Sequence, residues 1–152
     1  AGGSVASIAG MPPRGISGTA WAFATLGCRH VPLLHAMSEA AVSTIHEFLP
    51  RDLASTLWAF ATLEEANRPL IAPISRAALN RLGEFRAHDL SMTAWSLATL
   101  AFEDGPLLQA ISSRSIASMA AASLGGLVGE DSFGPQGLSS LAWSCATLRY
   151  RD

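Results

Sequence analysis

Apolar residues recur along this chain in two alternating blocks, each at helical spacing. The first block carries one phrase four times: Ala20-Trp21-Ala22-Phe23-Ala24-Thr25-Leu26, Leu57-Trp58-Ala59-Phe60-Ala61-Thr62-Leu63, Ala94-Trp95-Ser96-Leu97-Ala98-Thr99-Leu100 and Ala142-Trp143-Ser144-Cys145-Ala146-Thr147-Leu148. The tryptophans are 37, 37 and 48 residues apart, so one supersecondary unit is repeated and an insertion of 11 residues precedes the last copy. In the second copy Leu53, Leu57, Phe60 and Ala61 share one helical face, and Ala54, Trp58, Ala61 and Thr62 an adjoining one. That apolar arc is wider than a surface helix needs and predicts an interior helix, A, over about 16–27, 53–64, 90–101 and 138–149. Each copy is preceded by Pro and then Asp or Gly, or by an equivalent, which reads as a helix start. The small residues Ala54, Ser55, Ala59 and Ala61 let neighbouring helices approach, and the tryptophan is expected as the large knob between units. On that basis Trp58→Ala or Trp95→Ala costs about 3–5 kcal/mol.

The second block begins at Pro32-Leu33-Leu34, Pro69-Leu70-Ile71 and Pro106-Leu107-Leu108, again 37 residues apart, with proline suited to the first turn of a helix, B. Leu34, Met37, Ala41 and Ile45 form one stripe, matched by Ile71, Ile74, Ala78 and Leu82 and by Leu108, Ile111, Ser115 and Met119. Pro73 falls inside the second copy and predicts a late start or a kink. The predicted fold class is all-α, an α-solenoid of antiparallel helical hairpins with a period of 37 residues. Its divisions are a leader at 1–10, repeats at 11–47, 48–84 and 85–132, and a partial repeat at 133–152. The insertion, at about 122–132, contains Gly125, Gly126 and Gly129 and is expected as a mobile loop. The fourth copy stops before a helix B, which predicts an apolar face covered by further chain or by another protein.

Composition narrows the function. With 49% hydrophobic and 14% charged residues the chain suits a packed fold. A formal net charge of −2 gives no bulk attraction to nucleic acid, so any such binding relies on a local stripe of charge. All ten basic residues are arginine, the better fork for phosphate and the better stacker on flat rings, although a GC-rich coding sequence also accounts for this. Cys28 and Cys145 lie in distant repeats and make neither a disulfide framework nor a metal cluster. No apolar run reaches the roughly 18–20 residues of a membrane span, so no membrane insertion is expected.

The phrase Phe-x-Pro-Gln-Gly-Leu-Ser-x-x-Ala-Trp at Phe133 to Trp143, echoed at Phe48 to Trp58, resembles the octotricopeptide repeats of algal organelle proteins, units of about 38 residues. Related helical arrays accompany RAP domains and FAST-kinase-like proteins. The resemblance implies an RNA-binding helical-repeat protein of chloroplasts or mitochondria, acting in transcript stability, processing, splicing or translation within a ribonucleoprotein. Some members resemble structural components of organellar ribosomes. Where that family often carries Asn three residues before the tryptophan, this chain has Gly18, Ser55, Met92 and Ser140.

Two columns carry candidate chemistry. Arg14, Arg51, His88 and Gln136 stand one per repeat at the mouth of helix A, where side-chain donors beside helix N-termini suit phosphates spaced by helix packing. The alternative is that they are solvated residues whose field Asp52 and Asp89 blunt. Gly18, Ser55, Met92 and Ser140 vary in chemistry at a fixed place, as a one-base-per-repeat reader requires and as an unconstrained exposed position also shows. His35, Glu39, Arg76, Asn80, Arg81 and Arg114 on helix B read as solvent-facing. No enzyme motif is present: the histidines lack a zinc-binding helix pair, and the glycines at 125–129 lack the Lys-Ser/Thr of a phosphate loop. The expected function is non-catalytic RNA binding in an organellar ribonucleoprotein, without a cofactor. The rival is a scaffold subunit that binds other proteins in a large organellar assembly such as a ribosome.

Overall fold

The computed structural model describes residues 8–102, 104–123 and 135–149, and over these the chain is helical with no strand. Seven helices follow one another: α1 Pro13–Leu26, α2 Val31–Ser43, α3 Pro50–Thr62, α4 Arg68–Asn80, α5 Ala87–Thr99, α6 Gly105–Ser123 and α7 Pro135–Arg149. The A helices are α1, α3, α5 and α7, and the B helices are α2, α4 and α6. The A helices begin at Pro13, Pro50, Ala87 and Pro135, intervals of 37, 37 and 48 residues, the spacing of the tryptophans. Each A helix packs chiefly against the A helices beside it, and B helices pack on B helices, so two layers of helices are stacked along one direction.

Helix A starts three residues earlier than the sequence suggests. The expected start treated the residue after Arg14, Arg51 or His88 as the cap. Instead proline is the first helical residue of α1 and α3, where its missing N–H costs nothing. Asp52 and Asp89 are the third helical residues, and their Oδ2 atoms accept from the backbone N–H of Leu49 and Arg86 at 3.2 Å. Both carboxylates are buried. Asp52 Oδ1 also accepts from Ser17 on α1 at 3.2 Å, which ties consecutive units. Ser91 Oγ, the counterpart of Ser17 two repeats on, donates to the carbonyl of Gly137, the counterpart of Asp52, at 3.4 Å. The stacking register is therefore the same on both sides of the insertion.

Helix B is capped by a different residue in each unit. His30 Nδ1, Asn67 Oδ1 and Asp104 Oδ1 accept from the backbone N–H of Leu33, Leu70 and Leu107 at 3.1, 3.2 and 3.0 Å. This cap fixes the start of α4 at Arg68, level with Val31 and Gly105, so Pro73 causes no late start and lies within the helix. Three equivalent C-terminal turns close helix A: the N–H groups of Cys28, Glu65 and Phe102 each donate to the carbonyl five residues back at 2.9 Å. The residue before each has positive φ, namely Gly27 at 68°, Glu64 at 54° and Ala101 at 55°. Only the first is glycine, so Ala101→Gly is expected to raise stability by about 0.5–1 kcal/mol in urea unfolding.

The interior differs from the expected one at its largest side chain. Phe48 and Phe85, the residues that end the 3-10 turns Ile45–Glu47 and Leu82–Glu84, are 0% and 1% exposed. Between A helices the buried positions are Ile16, Leu53 and Leu90, and Ala20, Leu57 and Ala94. Trp21 and Trp143 are 49% exposed, and Trp58 and Trp95 are half-buried. The indoles therefore are not the core knobs. Those of Trp21 and Trp58 do meet between units, with ring centroids 6.4 Å apart and planes inclined by 29°, but at the surface. The expected cost of Trp58→Ala or Trp95→Ala falls accordingly, because a ring partly open to water leaves no fully closed cavity.

The predicted helix-B stripe is borne out at Leu34, Met37, Ala41, Ile71, Ile74, Ala78, Ile111 and Ser115, all buried. Arg81 and Arg114, expected to face solvent, are partly buried and donate through Nη1 to the carbonyls of Phe48 and Leu82. Helix α6 is 19 residues long against 13 for α2 and α4, so the third unit departs from the others first as additional helix. The expected mobile loop falls almost wholly on 124–132, outside the described residues.

Candidate nucleic-acid interface

In α5 every residue is buried except His88, Met92, Trp95 and Thr99. In α3 the same holds, apart from Pro50, for Arg51, Ser55, Trp58 and Thr62. These positions are separated by four, three and four residues, which is a single stripe along a helix. Its equivalents are Arg14, Gly18, Trp21 and Thr25 on α1, and Gln136, Ser140, Trp143 and Thr147 on α7. Because the A helices stand side by side in one register, the four stripes adjoin as one surface, at interaxial spacings of about 8–10 Å.

Both candidate columns thus lie on one face, together with the row of indoles that the sequence pattern alone assigns to the interior. Arg14, Arg51 and His88 are exposed and are the second residues of their helices, inside the first turn and not ahead of it as the sequence suggests, where the positive end of the helix dipole adds to their own donors. Gln136 takes the same backbone position on α7; its side chain lies outside those described. One turn on, Gly18 is exposed and Ser55, Met92 and Ser140 are half-buried. A Cβ at Gly18 would meet nothing within 4 Å, so the space beside Trp21 is open. The signal that places the indoles outward was present in the sequence: Arg51, Ser55 and Thr62 flank Trp58 at helical spacing, and all are polar.

No carboxylate belongs to the stripe. Asp52 and Asp89 are buried, Asp52 held by the Leu49 amide and the Ser17 hydroxyl and Asp89 by the Arg86 amide. Past the helix C-termini, Glu65 is paired with Arg29 at 2.8 Å, again across two units, and Arg68 lies over the Phe102 ring at 5.8 Å. The surface is therefore mildly basic at its N-terminal edge, aromatic in the middle and hydroxyl-bearing beyond. Such an arrangement offers donors to phosphates and flat faces to rings.

On the B side a groove of about 550 Å³ lies between α2 and α4, with Val42, Ile45 and Pro73 in its walls and His46, Arg76 and Asn80 at its polar parts. Among the described residues no group of three or more His, Cys, Asp or Glu side chains is placed to hold a metal ion. No helix there is long and apolar enough to cross a membrane.

Across residues 1–152 the sequence matches the family model described as RNA-editing substrate-binding complex 6 protein, RESC6. The chain belongs to that family. No curated protein matches it. The match corrects the resemblance to octotricopeptide repeats, and it gives no support to the expectations of a chloroplast protein or of a ribosomal subunit. The residues behind that resemblance meet general demands of stacked hairpins: proline at the first helical position, small residues where A helices cross, and a proline early in helix B. Unrelated arrays of helical hairpins satisfy the same demands, so those residues do not distinguish one family from another. The RESC6 description names an RNA-editing substrate-binding complex.

Proposed function

We propose that this RESC6-family chain is a non-catalytic helical scaffold of a mitochondrial RNA-editing substrate-binding complex, and that it contacts RNA along the solvent stripe of its A helices. The family description supports an association with RNA and with other protein subunits. The observation that carries the placement is the alignment of Arg14, Arg51 and His88, exposed at the second residue of three neighbouring helices. An array of helix N-termini, each with a cationic or donor side chain, suits a backbone that presents one phosphate after another.

Fluorescence polarisation with a labelled single-stranded RNA tests this. Affinity is expected to fall with salt, and the double variant R14A/R51A is expected to bind more weakly with a log–log salt slope shallower by about 1.4, two phosphates at ~0.7 each. Binding that ignores both salt and the double substitution contradicts the proposal.

The protein-scaffold reading concerns α7, whose outer face suits either further chain or another protein. Ala142 and Ala146 are exposed there, although their counterparts Ala94 and Ala98 are buried where the next A helix packs. Crosslinks from α7 to a protein subunit of the purified complex would establish that contact, and the two readings concern different edges of the same stack.

A further inference from the structure

The phosphate ladder leaves the indole row unexplained. A helix face that serves only as a solvated edge has no use for four large apolar rings, each in the middle of its stripe and flanked by Gly, Ser, Thr or Met. Burial accounts for only part of them: Trp58 and Trp95 are half-buried and Trp58 packs on the core, whereas Trp21 and Trp143 are 49% exposed. We propose that Trp21, Trp58, Trp95 and Trp143 form a stacking platform for the unpaired bases of a single RNA strand that crosses the A helices, one indole per unit. This inference rests on the RNA-binding reading above and assigns the class of RNA: single-stranded, taken with little regard to sequence, and not duplex.

Three observations support the assignment. The indoles share one helix position, with Trp21 and Trp58 stacked at 6.4 Å between centroids and Trp95 and Trp143 at the equivalent residue of the next two A helices. The Trp21 ring is approachable from the N-terminal side: Gly18, one turn before it, has open space where a side chain would stand. The charge is also complementary. Arg14 and Arg51 precede their tryptophans by seven residues, about 10 Å along the helix axis, and no acidic side chain shares the stripe. A strand laid across the helices then presents phosphates to the N-terminal edge and bases to the rings. A duplex keeps its ring faces stacked on one another and offers none to an indole, whereas any single-stranded base has a free π-face.

The test uses the 152-residue chain, a 15-nucleotide fluorescein-labelled oligouridine and the same length of perfect RNA duplex. The variants are W21A/W143A, which removes the two most exposed rings and spares the core, and G18E, which fills the open space beside Trp21. Circular dichroism melts confirm that each remains folded. The single strand is expected to quench tryptophan emission. W21A/W143A is expected to lose about tenfold or more in affinity, in keeping with ~1–3 kcal/mol per stacked base, with the salt slope unchanged, and G18E is expected to bind more weakly as well. Wild-type affinity in W21A/W143A overturns the stacking platform while leaving the phosphate ladder standing. Loss of a protein subunit from the complex in these variants, with RNA affinity intact, overturns it and makes the row a protein-docking edge. Equal affinity for the duplex overturns it too. Absence of any RNA binding by the wild-type chain defeats both this inference and the reading beneath it.

Discussion

Phe48→Ala is expected to lower the free energy of unfolding by about 3–5 kcal/mol, and Phe85→Ala by a similar amount. Each ring is fully enclosed in the common core at the point where the chain passes from one hairpin to the next. The backbone there is held on both sides. The Phe48 N–H donates to the Ile45 carbonyl at 3.2 Å, and its own carbonyl accepts from Arg81. The surroundings therefore have little freedom to collapse into the vacated volume, which is the condition under which large-to-small changes cost most. In a stack of hairpins each unit is stabilised largely by its neighbours, so a cavity at this junction weakens two units together. Trp21→Ala, by contrast, is expected to cost less, about 1–3 kcal/mol, because about half of the residue is already in water. Urea unfolding followed by circular dichroism measures both. A larger loss for Trp21→Ala than for Phe48→Ala would restore the indole as the interior knob.

Asp52→Ala is expected to cost about 1–3 kcal/mol. The carboxylate accepts from the Leu49 amide and from the Ser17 hydroxyl, and truncation leaves both donors without that partner beside a closed seam. The helix-capping share of this loss is about 1 kcal/mol. Asp52→Asn, which keeps an acceptor oxygen at the same place, should recover part of it in the same unfolding assay. Equal losses for Asn and Ala would argue against the Ser17 and Leu49 bonds as the cause. Because Ser17 belongs to the preceding unit, Ser17→Ala combined with Asp52→Ala should cost less than the sum of the two single changes.

The repeat and the hairpins were legible in the sequence because they follow from periodicity: a 37-residue spacing, a broad apolar arc for helix A and a narrower one for helix B. Helix A was placed three residues late because Asp52 looked like a cap and is instead the third helical residue, a distinction that depends on which amide the carboxylate meets. The caps of helix B were overlooked because one structural position is filled by three chemistries, His30, Asn67 and Asp104, and only geometry reveals that each accepts the same bond. The indoles were misplaced for a different reason. Hydrophobicity does not state direction, and Trp58 sits at the border of an arc in which Leu57 on one side is buried and Thr62 on the other is exposed. Of the candidate site, the two polar columns were found from the sequence, whereas their union with the indole row required knowing that α3 and α5 have only one stripe open to solvent. Family membership was not legible from those motifs, since stacking constraints generate them independently of descent.

The central claim is that RNA lies along the A-helix stripe and not on the B side. Crosslinking of the chain to 4-thiouridine-substituted single-stranded RNA, followed by mass spectrometry of the adducted peptides, tests it most directly. Adducts are expected on peptides of α1, α3 and α5, at or beside Trp21, Trp58 and Trp95. Adducts confined to α2 and α4, around His46, Arg76 and Asn80, would contradict the account and move the RNA to the opposite face.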